Sequence, residues 1–307
     1  MLLLAASVAA RAQAPAAPAT PPSLVDSGSP NGPNAPAASP ATPSAAPAVA
    51  PRSARRRRAA PATPSPITDH LALEALYFWG KAATTGRFDN PTTDLEGTAF
   101  SAEHDLGLSD QAHEPLVELM FRLENRNRLR FDFIDLRRSG EATLSAPLQY
   151  GSQLFETGQT VQSELDWRET DFTYTYSFLR NDRVELGAGA GLHLIQAYAS
   201  AQVPHTDLRD VYSAAGPFAT VALDGTWRMT RRWSFNARGQ YLRLAIDSSN
   251  GLLGDYHADV QFRWFPNFAV GAGYEYRHVL VDIRNANPAG EVQLNISGPE
   301  VFLRASL

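Results

Sequence analysis

The chain has 307 residues, no cysteine, a single lysine (Lys81) and a formal net charge of −5. That composition excludes a disulfide scaffold, a thiolate metal site and a basic nucleic-acid-binding surface, and leaves two soluble domains or one barrel with a tail. Without residues 1–60, which carry six Arg and one Asp, 21 basic and 31 acidic side chains remain, so the folded part is acidic at −10.

The first residues are apolar and lead into Ala12 and Ala14, small residues of the kind found at signal-peptidase sites. They predict a signal peptide over 1–12, and the lack of a basic n-region predicts that the true signal begins further upstream. Residues 13–66 are dominated by Ala, Pro and Ser with no spacing that could build a core, which predicts a disordered or polyproline-like linker. Arg52 and the Arg55–Arg58 block fall in it and are read as a solvated run rather than a contact to anionic lipid or wall polymer. Residues 67–307 form the folded part.

After Asp69 no stretch is long and apolar enough for a membrane-spanning helix. What recurs instead is a period of two in segments of about ten residues. Val117, Leu119, Phe121 and Leu123 alternate with polar or charged neighbours, as do Leu129, Phe131 and Phe133 beyond a turn at 125–127. Phe172, Tyr174, Tyr176 and Phe178 turn at Asn181-Asp182 into Val184, Leu186, Ala188, Ala190, Leu192 and Leu194, opposite Glu185, three glycines and His193. Val221 to Met229 and Trp233 to Tyr241 flank Arg231-Arg232, and Tyr256 to Trp264 and Phe268 to Tyr276 flank Pro266-Asn267.

Two features favour a transmembrane barrel over a soluble antiparallel sandwich. Phe178, Trp227, Trp233, Phe235, Trp264, Phe265 and Phe268 gather beside the tight turns, as an interfacial girdle requires. Short turns also interleave with longer polar links at 140–157, 204–216, 247–254 and 284–290, the outer-membrane pattern of short periplasmic turns and long outer loops. Parity then predicts an all-β antiparallel barrel of ten strands, with residues 70–82 as the first and 83–113 as a long loop. Twelve strands is the alternative, if 94–108 contributes its own. Breaks in the alternation near 133–134, 168–171 and 241–242 are read as β-bulges or as departures from the membrane.

Through Glu103-His104-Asp105-Leu106-Gly107-Leu108, Arg128-Leu129-Arg130-Phe131-Asp132-Phe133 and Tyr174-Thr175-Tyr176-Ser177-Phe178-Leu179, the sequence resembles a family of proteobacterial outer-membrane β-barrel proteins of unassigned activity. The likeness covers residues 70–200 best and implies a fold and a location rather than a reaction. The C-terminal Val301, Leu303, Ala305, Leu307 row is similar to the assembly signal of such barrels, with Leu307 where an aromatic is usual, and implies the barrel-assembly machinery as a partner beside outer-membrane lipid.

A barrel of about ten strands is nearly filled by its own side chains. Glu118, Arg122, Arg130, Asp132, Glu185, Asp224, Arg228, Arg238, Asp259, Arg263, Glu275 and Arg277 are expected to line the lumen, with Glu124 beside them, as a salt-bridged plug rather than a polar path. Glycines at 187, 189, 191, 271 and 273 are expected to let long side chains lie across the wall. A structural, adhesive or narrow-transport role, binding through 83–113, 140–157 and 204–216, is favoured over catalysis, and no cofactor, resident metal or nucleic-acid partner is expected. The rival is an outer-membrane hydrolase using Asp255 and His257, which sit two apart near the outer end of a strand and resemble the Asp-x-His pair of omptin proteases, without a second paired carboxylate segment. Glu103-His104-Asp105 is a weak candidate for a divalent ion, because neighbouring residues on a strand point to opposite faces.

Overall fold

The computed structural model describes residues 64–93, 95–246, 249–283 and 289–307. The expected signal peptide, and the linker with its Arg55–Arg58 block as far as residue 63, lie outside the described residues. Alternating apolar rows cannot be hidden on one face of a helix, but a strand places them all on one side. In chain order the strands are β1 (Leu71–Phe88), β2 (Phe100–Ser101), β3 (Gln111–Leu123), β4 (Asn127–Thr143), β5 (Leu148–Tyr150), β6 (Gln153–Phe155), β7 (Thr160–Arg180), β8 (Val184–Gln202), β9 (Arg209–Arg228), β10 (Trp233–Ile246), β11 (Ser249–Phe265), β12 (Phe268–Ile283) and β13 (Gly290–Ser306).

With β2, β5 and β6 set aside, each strand pairs antiparallel with the next along the chain, and β13 returns to β1 from Ala72↔Ser306 to Phe88↔Gly290. The sheet is therefore closed, ten strands round, which removes both the sandwich and every open edge. Twelve strands do not form. Among the described residues of 94–108, Phe100–Ser101 alone form a strand, β2 on β1, Leu108 makes a single bridge to Gly140, and β5 and β6 are a separate small hairpin.

Tight turns at one end are fixed by short polar side chains. Asn181 Oδ1 accepts from the Arg183 and Val184 amides at 2.8 and 2.9 Å, and Thr230 Oγ1 accepts from Arg232 and Trp233 at 3.2 and 3.0 Å. Glu124 takes a left-handed φ of 56° at the first turn and is exposed, so it does not join the lumen row as expected.

The outward row is apolar along a limited height. On β1 it runs Leu73, Ala75, Tyr77, Trp79 and then Lys81; on β4, Leu129, Phe131, Phe133 and then Asp135 and Arg137; on β7, Phe178 up to Phe172 and then Arg168. From Leu186 to Leu194 the row spans nine residues, roughly 27 Å of strand and ~20 Å of height once tilted by ~40°. Trp227, Trp233, Trp264, Phe265 and Phe268 stand 45% to 66% exposed at the tight-turn rim, and Tyr77, Trp79, Phe133 and Phe172 mark the opposite rim. A belt of this height between two aromatic girdles is the surface a barrel offers to lipid.

Beyond the belt the strands continue and their polarity inverts. Asp135, Arg137 and Arg168 point out, while Leu136 and Trp167 point in and are buried. The apparent parity breaks at 133–134, 168–171 and 241–242 are departures from lipid, not bulges. Register shifts instead fall at Ser177/Leu179 and Arg263/Phe265. For the same reason β1 runs to Phe88 rather than 82, and much of the expected links 204–216 and 247–254 is strand. Polar outward residues there suggested loop, but the inner row still packs.

Candidate functional site

The inward row makes a stack of charge pairs. At the tight-turn mouth, residues 65–69 fold across the opening, with the Thr68 amide donating to the Ser65 carbonyl at 2.9 Å. Ser65, Pro66, Ile67 and Asp69 are buried there. Arg122 holds this segment, donating from Nε to the Asp69 carbonyl (3.0 Å) and from Nη2 to that of Pro66 (3.2 Å), and it grips Glu185 with two bonds of 2.6 and 2.9 Å. Arg180 donates to the Ile67 carbonyl at 2.7 Å. The Asp69 carboxylate faces Arg263 at 2.6 Å and Arg304 at 3.4 Å.

Above the mouth, Glu118 bridges Arg130 at 2.8 Å and Arg238, Arg128 pairs with Asp224, and Arg304 pairs with Glu74. Between them lies a cavity of about 40 Å³ lined by Glu74, Glu118, Arg130, Arg238, His257 and Arg304 among others, room for a few waters rather than a solute.

A third tier converges on Glu169, Asp171 and His193, all fully or almost fully buried. His193 Nδ1 lies 2.8 Å from Glu169 Oε1 and 2.7 Å from Asp171 Oδ1. Its Nε2 lies 3.1 Å from both Thr220 Oγ1 and Gln240 Oε1. Trp167 Nε1 and Arg277 Nη1 donate to Glu169 Oε2 at 3.0 and 3.2 Å, and Arg277 Nη2 also meets Asp255 (3.2 Å) and Glu275 (3.1 Å).

Over this polar stack the interior turns apolar. Phe78, Leu136, Trp167, Leu253, Val279 and Leu294 form one buried layer, and Phe88, Phe100, Leu106, Leu148, Tyr150, Phe155 and Val161 form a second under the loops. Tyr212 stacks on Phe88 with centroids 3.9 Å apart and donates to the Asp89 carbonyl at 3.2 Å. Burial, and then the nearby Asp210, push the Tyr150 phenol up, as burial does that of Tyr212. On the exposed collar, hydrogen bonds from Arg137 and then Arg168 hold the Asp135 carboxyl below the usual range. The lumen is thus plugged below by residues 65–69 and above by packed loops.

Of the residues that sequence singled out, Glu118, Arg122, Glu185, Asp224, Asp259, Arg263, Glu275 and Arg277 are buried on inward rows. Arg130, Asp132, Arg238 and Arg228 share those rows but are half-buried, Arg228 lying at the tight-turn rim. Asp255 and His257 share the inward face of β11 without pairing. Asp255 is bound to Arg277 and His257 Nε2 to Glu300, and both are buried in mid-wall with Ser249 to Gly254 continuing the strand above them. In Glu103-His104-Asp105, Glu103 is taken by Arg138 at 2.6 Å and by the Thr84 amide at 2.8 Å, while His104 meets Asp105 at 2.8 Å. The three therefore share no common ligand position.

No protein-family model matches the chain, and no curated protein sequence matches it. Among solved structures it is similar to the outer membrane protease OmpT from Escherichia coli, with 10% identity over 77% of this chain and 96% of that one and a TM-score of 0.49. The translocator domain of autotransporter NalP from Neisseria meningitidis shares 8% identity over 77% and 88%, with a TM-score of 0.38. The attachment invasion locus protein Ail of Yersinia pestis shares 12% identity over 76% and 99%, with a TM-score of 0.31.

Sequence reasoning missed Asp69, Glu74, Glu169, Asp171, Glu300 and Arg304. Glu169 and Asp171 were within reach, because the parity of Thr173, Thr175 and Ser177 carried back along β7 puts them on the inner row. The wall glycines do make room: a Cβ at Gly187 would strike Asp224 and Arg128, and one at Gly191 would strike Gln240 and Thr220.

Proposed function

We propose that this chain is an outer-membrane β-barrel of a Gram-negative bacterium that acts as a closed scaffold, carrying a packed cap at the cell surface for structural or adhesive contacts and conducting no solute. The observation that carries the reading is the filled lumen, closed at one mouth by residues 65–69 and at the other by the Phe88–Phe100–Tyr150–Phe155 core. The uncharged belt between two aromatic rims supports lipid as the surrounding medium. Tight turns face the periplasm in such barrels, so the tail that precedes Ser65 would emerge on that side. The last strand, with Val301 and Leu303 exposed, would be the part that the assembly machinery receives.

Planar-bilayer recording of the refolded full chain tests the reading. No steady current above leak is expected. Stable single-channel steps would overturn it in favour of a narrow transporter.

A further inference from the structure

We propose that His193 Nδ1, Glu169 Oε1 and Asp171 Oδ1 form a three-ligand site for a divalent transition cation of the class that prefers imidazole and carboxylate, zinc being the first choice. This goes beyond the scaffold reading and does not depend on it.

Gln240 Oε1 can only accept, and it already receives the Thr220 hydroxyl at 2.7 Å while facing His193 Nε2 at 3.1 Å. Nε2 must therefore carry the hydrogen, which is how an outer-shell partner fixes the tautomer of a metal-binding histidine. In the neutral ring the lone pair then sits on Nδ1, and Nδ1 is the atom that two carboxylate oxygens approach at 2.8 and 2.7 Å. One Nδ1 proton can lie along only one of those directions. Apart from that approach to Nδ1, Asp171 Oδ1 has no hydrogen-bond partner, in a residue 2% exposed.

The surroundings complete the case. Trp167 and Arg277 occupy Glu169 Oε2 and leave Oε1 turned toward His193. Arg277 is already shared among Glu169, Asp255 and Glu275, and it acts on Asp171 only from a distance. Glu169 and Asp171 thus share one imidazole, with Arg277 divided among three carboxylates, in the dry interior, where unbalanced charge is costly. A divalent cation would add two positive charges between these two acids. The three ligand atoms lie within 4.8 Å of one another, and tetrahedral bonds of ~2.1 Å would need the two carboxylate oxygens to move about 0.6–0.7 Å further from Nδ1. The site joins β7 to β8 directly and reaches β9 and β10 through Thr220 and Gln240.

Because the folded lumen is closed, loading belongs with folding. The full chain is refolded with zinc, freed of loose ion by desalting, and assayed for metal by elemental analysis. About one zinc per chain is expected, with a melting temperature higher than for chain refolded with EDTA. His193→Gln and Asp171→Asn are expected to lose the metal, and His257→Gln, in the other histidine cluster, to retain it. Wild-type chain that folds but holds no zinc would overturn the proposal even if a site variant failed to fold. Equal zinc in wild type and in a folded His193→Gln chain would overturn it too, and a lone imidazolium proton between the two acids would then be the reading.

Discussion

Replacing Arg122 by Ala removes one half of a charge pair in which neither side chain is exposed. Glu185 would keep only the Ser177 hydroxyl and two more distant guanidiniums, Arg128 at 3.7 Å and Arg180 at 3.8 Å. The carbonyls of Pro66 and Asp69 would each lose a charged donor as well. Breaking a buried pair on one side costs about 3–5 kcal/mol, so a loss of ~4 kcal/mol, or roughly a thousandfold in the folding equilibrium, is expected. Arg122→Met combined with Glu185→Leu leaves no orphaned charge and should fall within about 2 kcal/mol of wild type. Denaturant unfolding in lipid vesicles, followed by tryptophan fluorescence, gives both values, and limited proteolysis reports release of residues 65–69. If Arg122→Ala costs under ~1 kcal/mol while that segment stays protected, Arg122 does not hold the mouth closed.

Gly187→Leu should destabilise by about 1–3 kcal/mol, because its side chain would displace Asp224 and Arg128; unchanged stability in the same unfolding assay would show an emptier lumen. Leu223→Arg, in the middle of the lipid-facing row of β9, should cost ~2–4 kcal/mol, whereas Ala215→Arg on the outward row beyond the belt should cost little; equal effects would count against the belt. Asp135 has its carboxyl lowered in the folded state, so its contribution is present above the ordinary carboxylate range and is lost as pH falls through the lowered value. Since the group is partly exposed and its arginine partners more so, Asp135→Asn should change stability by no more than about 1 kcal/mol at neutral pH, and by less in high salt. A larger, salt-independent loss would contradict that picture.

The tight turns and the outward row were legible because lipid imposes one demand on every residue at a given height. Phe172 to Phe178 and Leu186 to Leu194 show it without any knowledge of their partners. Strand length was less legible, because the demand reverses above the belt. Leu165 and Trp167 face inward there and Arg168 faces out, so a single strand reads as two patterns in opposite phase. The lumen row was visible as parity, but its pairing was not. Arg304 meets Glu74 only because β13 closes on β1, and Arg277 reaches Glu169 across the interior. Glu169, Asp171 and His193 likewise become neighbours through the register of β7 on β8, which pairs Asp171 with His193. The burial of Ser65 and Pro66 had no local signal in a Pro-rich stretch, since it depends on arginines from β3 and β7.

A thiol scan along β9 tests the account most directly, because the chain has no cysteine of its own to remove. Single cysteines in vesicle-inserted protein would be offered one water-soluble and one lipid-soluble thiol reagent. Val221 and Leu223 are expected to react only with the lipid-soluble reagent, Ser213 and Ala215 with the water-soluble one, and Ala222 and Thr226 with neither. Reaction of Ala222 or Thr226 with the water-soluble reagent would mean an open lumen, and its reaction at Val221 or Leu223 would mean that the belt does not lie in lipid.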